Sequence, residues 1–208
     1  MLKRAFDIAI AAVGLVLAAP LLGATALAVR VGLGRPVLFR QARAGRDGRP
    51  FLLVKFRTMR DAHGADGCLL DDAQRLTPLG RALRASALDE LPSLVNVLRG
   101  EMSLVGPRPL PVAYLDRYTD EQARRHTVRP GLTGWAQVNG RNRTGWEQRL
   151  AFDVWYADHR SFRLDLVILL RTFAALARPH EAAAEGHATM PAFLGRAAAG
   201  APLTAARP

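Results

Sequence analysis

The chain has 208 residues, half of them apolar but only 7% aromatic, and 29 Lys+Arg against 18 Asp+Glu give a formal net charge of +11. That length allows one domain with its own core, and that charge suits an anionic partner: nucleic acid, an anionic leaflet or phosphorylated substrates. The single cysteine, Cys68, excludes an intrachain disulfide and reads as a loop thiol, and five scattered histidines argue against a zinc site.

Residues 8–29 form one uncharged apolar run, long enough to cross a bilayer core if straight. Three readings compete: a signal peptide, a spanning anchor, and a helix that enters the membrane and turns back. The third is favoured. Pro20 lies inside the run, where it removes a backbone donor and clashes with the preceding turn. Basic residues flank both ends (Lys3 and Arg4 before; Arg30, Arg35, Arg40, Arg43 and Arg46 after), and basic flanks prefer the cytoplasm. A break at Pro20 keeps both flanks on that side.

Residues 36–43 and 50–56 are short apolar-basic runs separated by Ala44-Gly45-Arg46-Asp47-Gly48, which predicts a β-hairpin. Residues 60–76 are polar and read as a loop or loose helix, with Asp71 and Asp72 solvated; a short helix follows at 79–83. Leu91, Leu94, Val95 and Leu98 recur at helical spacing and predict a helix over 89–99 that Gly100 stops. A charged helix is predicted over 111–126. Turns are predicted at Pro130-Gly131 and Asn139-Gly140, and a helix over 146–160. Residues 164–177 predict an amphipathic helix in the core or the membrane interface. Residues 179–208, rich in Ala, Pro and Gly, read as a disordered tail. There is no internal repeat.

The stretch Ser86-Ala-Leu-Asp-Glu-Leu-Pro92 places two adjacent carboxylates in a basic chain. Ser86-x-x-Asp89 loosely matches a capping box, but a helix starting at Ser86 would put Pro92 past its first turn. Starting at Asp89 fits better: Asp89 becomes the N-cap and Pro92 lies where the amide is unpaired anyway. Glu90 is left unexplained. Elsewhere, rigid turns present arginine: Gly106-Pro-Arg108-Pro109 and Asn139-Gly-Arg141-Asn142, with Lys55, Arg57 and Arg60 at the end of the second predicted strand. Arginine in rigid turns grips phosphate oxygens well, often bidentately. Together these features suggest a polyphosphate site with two acids nearby, as in metal-assisted phosphoryl transfer.

At these residues the chain resembles the bacterial sugar transferases, the small monotopic polyprenyl-phosphate phosphoglycosyl transferases. The matching stretches are KRAFDIAIA (3–11), PVLFRQARAGRDGRPF (36–51), KFRTM (55–59), LDELPSLVNVLRGEMSLVGPRP (88–109), RPGLTGWAQVNGRN (129–142) and the region of Asp153 and Tyr156. The block at 88–109 is the most specific. Arg35-Pro36 stands where Gly-Pro is frequent, Ala19 where serine is, Ser93 where glutamine is, and Glu101 where aspartate is.

The resemblance implies an α+β fold, mainly helical with a short β-hairpin. It implies a re-entrant membrane helix over 1–34 broken at Pro20, a transferase domain over 35–178, interfacial amphipathic helices, and a site on the cytoplasmic face of the inner membrane. It implies transfer of a sugar-1-phosphate from a UDP-sugar to undecaprenyl phosphate with release of UMP, requiring Mg²⁺, as the first step of exopolysaccharide, capsule, O-antigen or glycoprotein glycan synthesis. By that analogy Asp89 is the nucleophile and a metal ligand, and passes through an aspartyl-phosphosugar intermediate. Glu90 assists with the metal or with protons. Lys55 belongs to the catalytic set and Arg141 to phosphate binding; Arg108, between Pro107 and Pro109, either binds phosphate too or shapes the site.

A carboxylate nucleophile is chemically apt: it is ionised at neutral pH without a base, provided that cations offset the charge of its phosphate target. A homo-oligomer is left open. Trp135 and Trp146 read as packing or interface residues, and Asp153 as half of a structural salt bridge. Two other classes compete: an inert membrane scaffold, opposed by the intact acid pair, and a nucleic-acid binder, opposed by the apolar run and the lack of an aromatic-basic stripe.

Overall fold

The apolar N-terminal run folds as two helices. In the computed structural model, which describes residues 2–64, 66–140, 145–176 and 192–195, α1 (Leu2–Leu17) and α2 (Ala19–Gly32) meet at Ala18 with a bend of 63°. Pro20 sits in the first turn of α2, so it has no N–H to give the last turn of α1, and the helix restarts there. Among the described residues no single helix is long and apolar enough to cross a membrane; the bent pair together meets that test by length and composition.

The predicted hairpin is present. β1 (Leu38–Ala44) pairs antiparallel with β2 (Pro50–Phe56) in continuous register from Leu38↔Phe56 to Ala44↔Pro50. The turn between them needs positive φ at Asp47 and Gly48, which Asp and Gly tolerate best. Beyond β2 the polar segment holds only a single helical turn, α3 (Asp72–Arg75), before α4 (Pro78–Ala85), whose N-cap Thr77 accepts from the Gly80 amide at 3.0 Å.

A 3-10 turn over Leu88–Ser93 runs into α5 (Leu94–Arg99), and Gly100 closes it in the left-handed conformation, as its position in the sequence predicts. The helix predicted over 111–126 is broken instead. A 3-10 turn (Val112–Arg117) ends before Thr119, which starts α6 (Asp120–Ala123) with a capping box to Gln122; a second 3-10 turn covers Arg124–Thr127.

The sequence predicts only turns over 128–145, yet β4 (Gly131–Thr133) pairs in parallel with β3 (Ser103–Val105), and α7 (Trp135–Asn139) follows. Both strands are three residues long, too short to show a period. What permits the pairing is close backbone approach: a Cβ on Gly131 would lie 2.0 Å from the Gly106 nitrogen. The predicted C-terminal helices are α8 (Trp146–His159) and α9 (Phe162–Leu176).

The main core gathers Phe51 and Leu53 of β2, Val97 of α5, Met102, Leu104 and Val105 around β3, Tyr156 of α8 and Ile168 of α9. α1 belongs to this body. Ala11 is fully buried in it, Asp7 accepts from Ser103 Oγ (2.8 Å) and the Leu104 amide (3.2 Å), and Lys3 pairs with Asp165 at 2.6 Å. α2 packs on a second cluster of Val29, Phe56 and Leu83. Of the predicted tail, residues 192–195 are described: Phe193 is buried against Tyr114, Tyr118 and Trp146. The rest of the tail lies outside the described residues.

Candidate active site

β2 has one edge on β1 and one edge open, and an open edge needs partners. Side chains of the next segment supply them. Ser93 Oγ donates to the Val54 carbonyl (2.7 Å), Asn96 Nδ2 to the Leu52 carbonyl (2.7 Å), and Asn96 Oδ1 accepts from the Val54 amide (3.1 Å). Asn96 is fully buried. These bonds moor the 3-10 turn beside β2, and so bring the acid pair to Lys55.

The entry to that turn differs from the predicted one. Ser86 caps the C-terminus of α4, with its hydroxyl bonded to the Ala82 carbonyl, so there is no capping box to Asp89. Ala87, left-handed at φ 55°, is the residue before the 3-10 turn, so Asp89 lies inside the turn and is not its N-cap. The reversal at Ala87 lets α4 and the 3-10 turn pack against each other with the acids between them and β2.

Glu90 Oε1 accepts from Lys55 Nζ and from Arg108 Nη2, each at 2.7 Å. Burial alone would raise its pKa; the Arg108 and Lys55 cations overcome that and hold it at about 2. Lys55 is lowered, mainly by burial, with Glu90 opposing and Arg108 adding to the shift. Asp89 is different. It is 6% exposed, and its carboxylate accepts no hydrogen bond among the described residues. Burial first, and then the Glu90 charge, push it up to about 6 against the pull of Lys55, Arg84 and Arg108. The two acids therefore differ sharply: Glu90 is a fixed anion and Asp89 is proton-sensitive near neutrality.

A cleft opens beside the pair, lined by Arg43, Leu53, Lys55, Glu90, Ser93, Met102, Arg108, Pro109, Gly131 and Leu132. Asp89 is not in its lining. Arg108 is supported from behind, where its carbonyl accepts from Arg125 Nη2 at 2.7 Å. Arg125 in turn pairs with the buried Asp153 at 2.6 Å, the structural salt bridge expected of Asp153. The structure thus joins Asp89, Glu90, Lys55 and Arg108. Arg141 lies outside the described residues, and Pro20 sits at the helix break, away from this set.

Two arginines missing from the predicted site act on it. Arg43 lines the cleft and donates to the Pro109 carbonyl (3.3 Å), and Arg84, one turn before the acid pair, has its Nε on Thr58 Oγ1 (3.1 Å) and its charge acting on Asp89. Arg84 acts on Asp89 across the left-handed Ala87, which the sequence did not signal. Arg43 offered no signal until the hairpin register was known.

Among the described residues no group of three or more His, Cys, Asp or Glu is placed to hold a metal ion. The residues present do fit a cation that shares its shell with substrate. Mg²⁺ retains waters and takes one or two carboxylates plus phosphate oxygens, and Asp89 is a buried carboxylate with both oxygens free of described hydrogen bonds.

A buried acid pair ringed by basic side chains, on a body with a bent apolar helix pair, is the arrangement expected of a candidate enzyme site that handles anionic substrates. The family model for bacterial sugar transferases matches residues 1–179, and the chain belongs to that family; it is a transferase. It is 48% identical to the uncharacterized sugar transferase EpsL of Bacillus subtilis, over 94% of this chain and 96% of that protein. It is 47% identical to a UDP-glucose:undecaprenyl-phosphate glucose-1-phosphate transferase of Caulobacter vibrioides, over 84% of this chain and 69% of that protein. An Escherichia coli protein of the same description is 43% identical over 83% of this chain, which spans only 39% of that longer protein.

Proposed function

We propose that the protein transfers a sugar-1-phosphate from a UDP-sugar to undecaprenyl phosphate, releasing UMP, at the cytoplasmic face of the inner membrane. The relatives described as UDP-glucose:undecaprenyl-phosphate transferases support that substrate pair, and relatives described as exopolysaccharide production proteins support a place in exopolysaccharide synthesis. The observation that carries the reading is the Asp89–Glu90 pair beside Lys55 and Arg108.

In the first step an Asp89 carboxylate oxygen attacks the β-phosphorus. The bond from that phosphorus to the bridging oxygen breaks, UMP leaves with the electron pair, and an aspartyl phosphosugar remains. In the second step an oxygen of the lipid phosphate attacks the same phosphorus and Asp89 departs as a carboxylate. Lys55, Arg108, Arg43 and Arg141 offset the phosphate charge that would otherwise repel an anionic nucleophile. Glu90, held ionised by two cations, is too weak a base to take a proton; it fixes Lys55 and Arg108 in place. Asp89, with substrate oxygens, would hold Mg²⁺, and the chemistry it would supply is Lewis-acid stabilisation of the transferring phosphoryl group. The bent pair of α1 and α2 seats the body on the leaflet as a re-entrant hairpin, where the lipid phosphate arrives.

The test is to incubate the membrane-reconstituted protein with UDP-glucose, other UDP-sugars and undecaprenyl phosphate, and to measure UMP release. Wild type is expected to release UMP with at least one UDP-sugar, and Asp89→Asn to release none while still unfolding cooperatively, at or above the wild-type temperature. Normal turnover in that variant rules out Asp89 as the nucleophile.

A further inference from the structure

A second cleft lies away from the acid pair, between the first turns of α1, the β1–β2 turn and the corner joining α8 to α9. Five basic side chains line it, Lys3, Arg4, Arg46, Arg129 and Arg160, against one acid, Asp7. The acid already accepts hydrogen bonds from Ser103 Oγ and the Leu104 amide. Two of the cations are also committed: Lys3 pairs with Asp165, and Arg4 donates to the Val97 and Leu98 carbonyls at the end of α5.

The other three have donors to spare. Among the described residues, Arg129 uses only Nε, on the Gly100 carbonyl at 2.9 Å, and Arg46 meets only its neighbour Asp47, at 3.5 Å, both exposed. Arg160 makes no hydrogen bond or ion pair among the described residues and is exposed. All three guanidinium groups line the one cleft and keep N–H donors that an anion there could use.

The cleft also has a defined level in the molecule. It opens at the polar start of α1, just before the exposed Ile8 and Ile10. It opens equally at the polar start of α9, whose outward residues Leu166, Leu170 and Phe173 follow Arg160. Both helices place basic residues at their starts and exposed apolar residues after them, as happens at a bilayer's headgroup layer; Arg171 of α9 is the exception, and it turns to Asn139 and Trp135.

We propose that this cleft binds the phosphodiester of an anionic phospholipid, with Arg46, Arg129 and Arg160 as its ligands. The inference rests on the membrane seating proposed above. The phosphodiester accepts from the free guanidinium donors while the acyl chains run along the outward faces of α1 and α9.

The test is flotation of the full chain with two kinds of vesicle: phosphatidylcholine alone, and phosphatidylcholine partly replaced by phosphatidylglycerol. Both are run with and without millimolar inorganic phosphate. Wild type is expected to partition more strongly into the phosphatidylglycerol vesicles. Arg46→Gln/Arg160→Gln should lose roughly tenfold to thirtyfold of that partition, the size expected of two basic side chains at an anionic surface. Its binding to pure phosphatidylcholine should not change. Arg40→Gln/Arg81→Gln, which removes the same charge elsewhere on the surface, should lose less than about threefold.

An equal loss in both variants overturns the proposal in favour of diffuse attraction. Abolition of the phosphatidylglycerol preference by inorganic phosphate overturns it in favour of a free-phosphate site. Equal binding of wild type to both vesicles overturns it while leaving the membrane seating intact. Binding to neither vesicle overturns the seating and the proposal together.

Discussion

Asp89 and Glu90 are adjacent in sequence, yet their environments drive them apart: one is pushed up to about 6 and the other held at about 2. The consequence for stability has a definite sign. Asp89 binds its proton more tightly folded than unfolded, so the stability it confers is complete below its ordinary pKa of 3.8 and lost as pH rises through about 6. Above that pH the buried charge costs on the order of 3 kcal/mol. Asp89→Asn is therefore expected to unfold at a higher temperature than wild type at neutral pH, with the two converging below about pH 4. A thermal shift independent of pH would contradict this. In catalysis the same group must be ionised to attack, so UMP release is expected to rise as pH passes about 6. The site is thus most reactive where it is least stable, a conflict that functional groups commonly show.

At the level of elements, the hairpin, the break near Pro20, the stop at Gly100 and the two C-terminal helices were legible in the sequence because each has a local cause: a glycine-containing turn between two apolar-basic runs, a missing donor, a left-handed cap, a helical period. The acid pair was legible through the resemblance, and its basic partners Lys55 and Arg108 with it. What was not legible depends on distant contacts. The β3–β4 pairing needs Gly106 and Gly131 face to face, and the start of the acid-bearing turn depends on Ala87 holding φ 55°. Nothing in Ser-Ala-Leu-Asp-Glu-Leu-Pro announces a left-handed alanine, a conformation that costs about 1–2 kcal/mol outside glycine.

That strain predicts opposite effects from two substitutions at Ala87. Ala87→Gly is expected to stabilise by up to about 1 kcal/mol, because glycine adopts this conformation without the Cβ clash. Ala87→Val, β-branched at positive φ, is expected to destabilise by about 1–3 kcal/mol and to lower turnover as the acids shift from Lys55. Denaturant unfolding in detergent, with UMP release on the same samples, measures both. Equal effects of the two variants would show that the left-handed turn is not what sets the acids in position.

At the scale of the whole molecule, α1 is part of the core and, in the function proposed above, also part of the anchor. Its inner side carries Lys3, Asp7 and Ala11 into the main cluster, and its outer side exposes Val13, Val16 and Leu17, the last at 76%. Deleting α1 would therefore remove the buried bonds from Ser103 and Leu104 to Asp7 together with the packing of Ala11, and the chain is expected to fail to fold whether or not it meets a membrane. The discriminating change is confined to the outward face. Val16→Gln, Leu17→Gln and Leu21→Gln on the helix pair, combined with Leu170→Gln and Phe173→Gln on α9, touch residues that are all exposed. Each large apolar side chain withdrawn from lipid contributes about 1.5–3 kcal/mol to partition, so five together outweigh the attraction left to the basic surface. The variant is expected to keep its near-ultraviolet circular dichroism and to move from the membrane fraction to the supernatant. Retention in the membrane with the fold intact would mean that these helices do not face lipid, and would leave the lipid-phosphate acceptor without a route to Asp89.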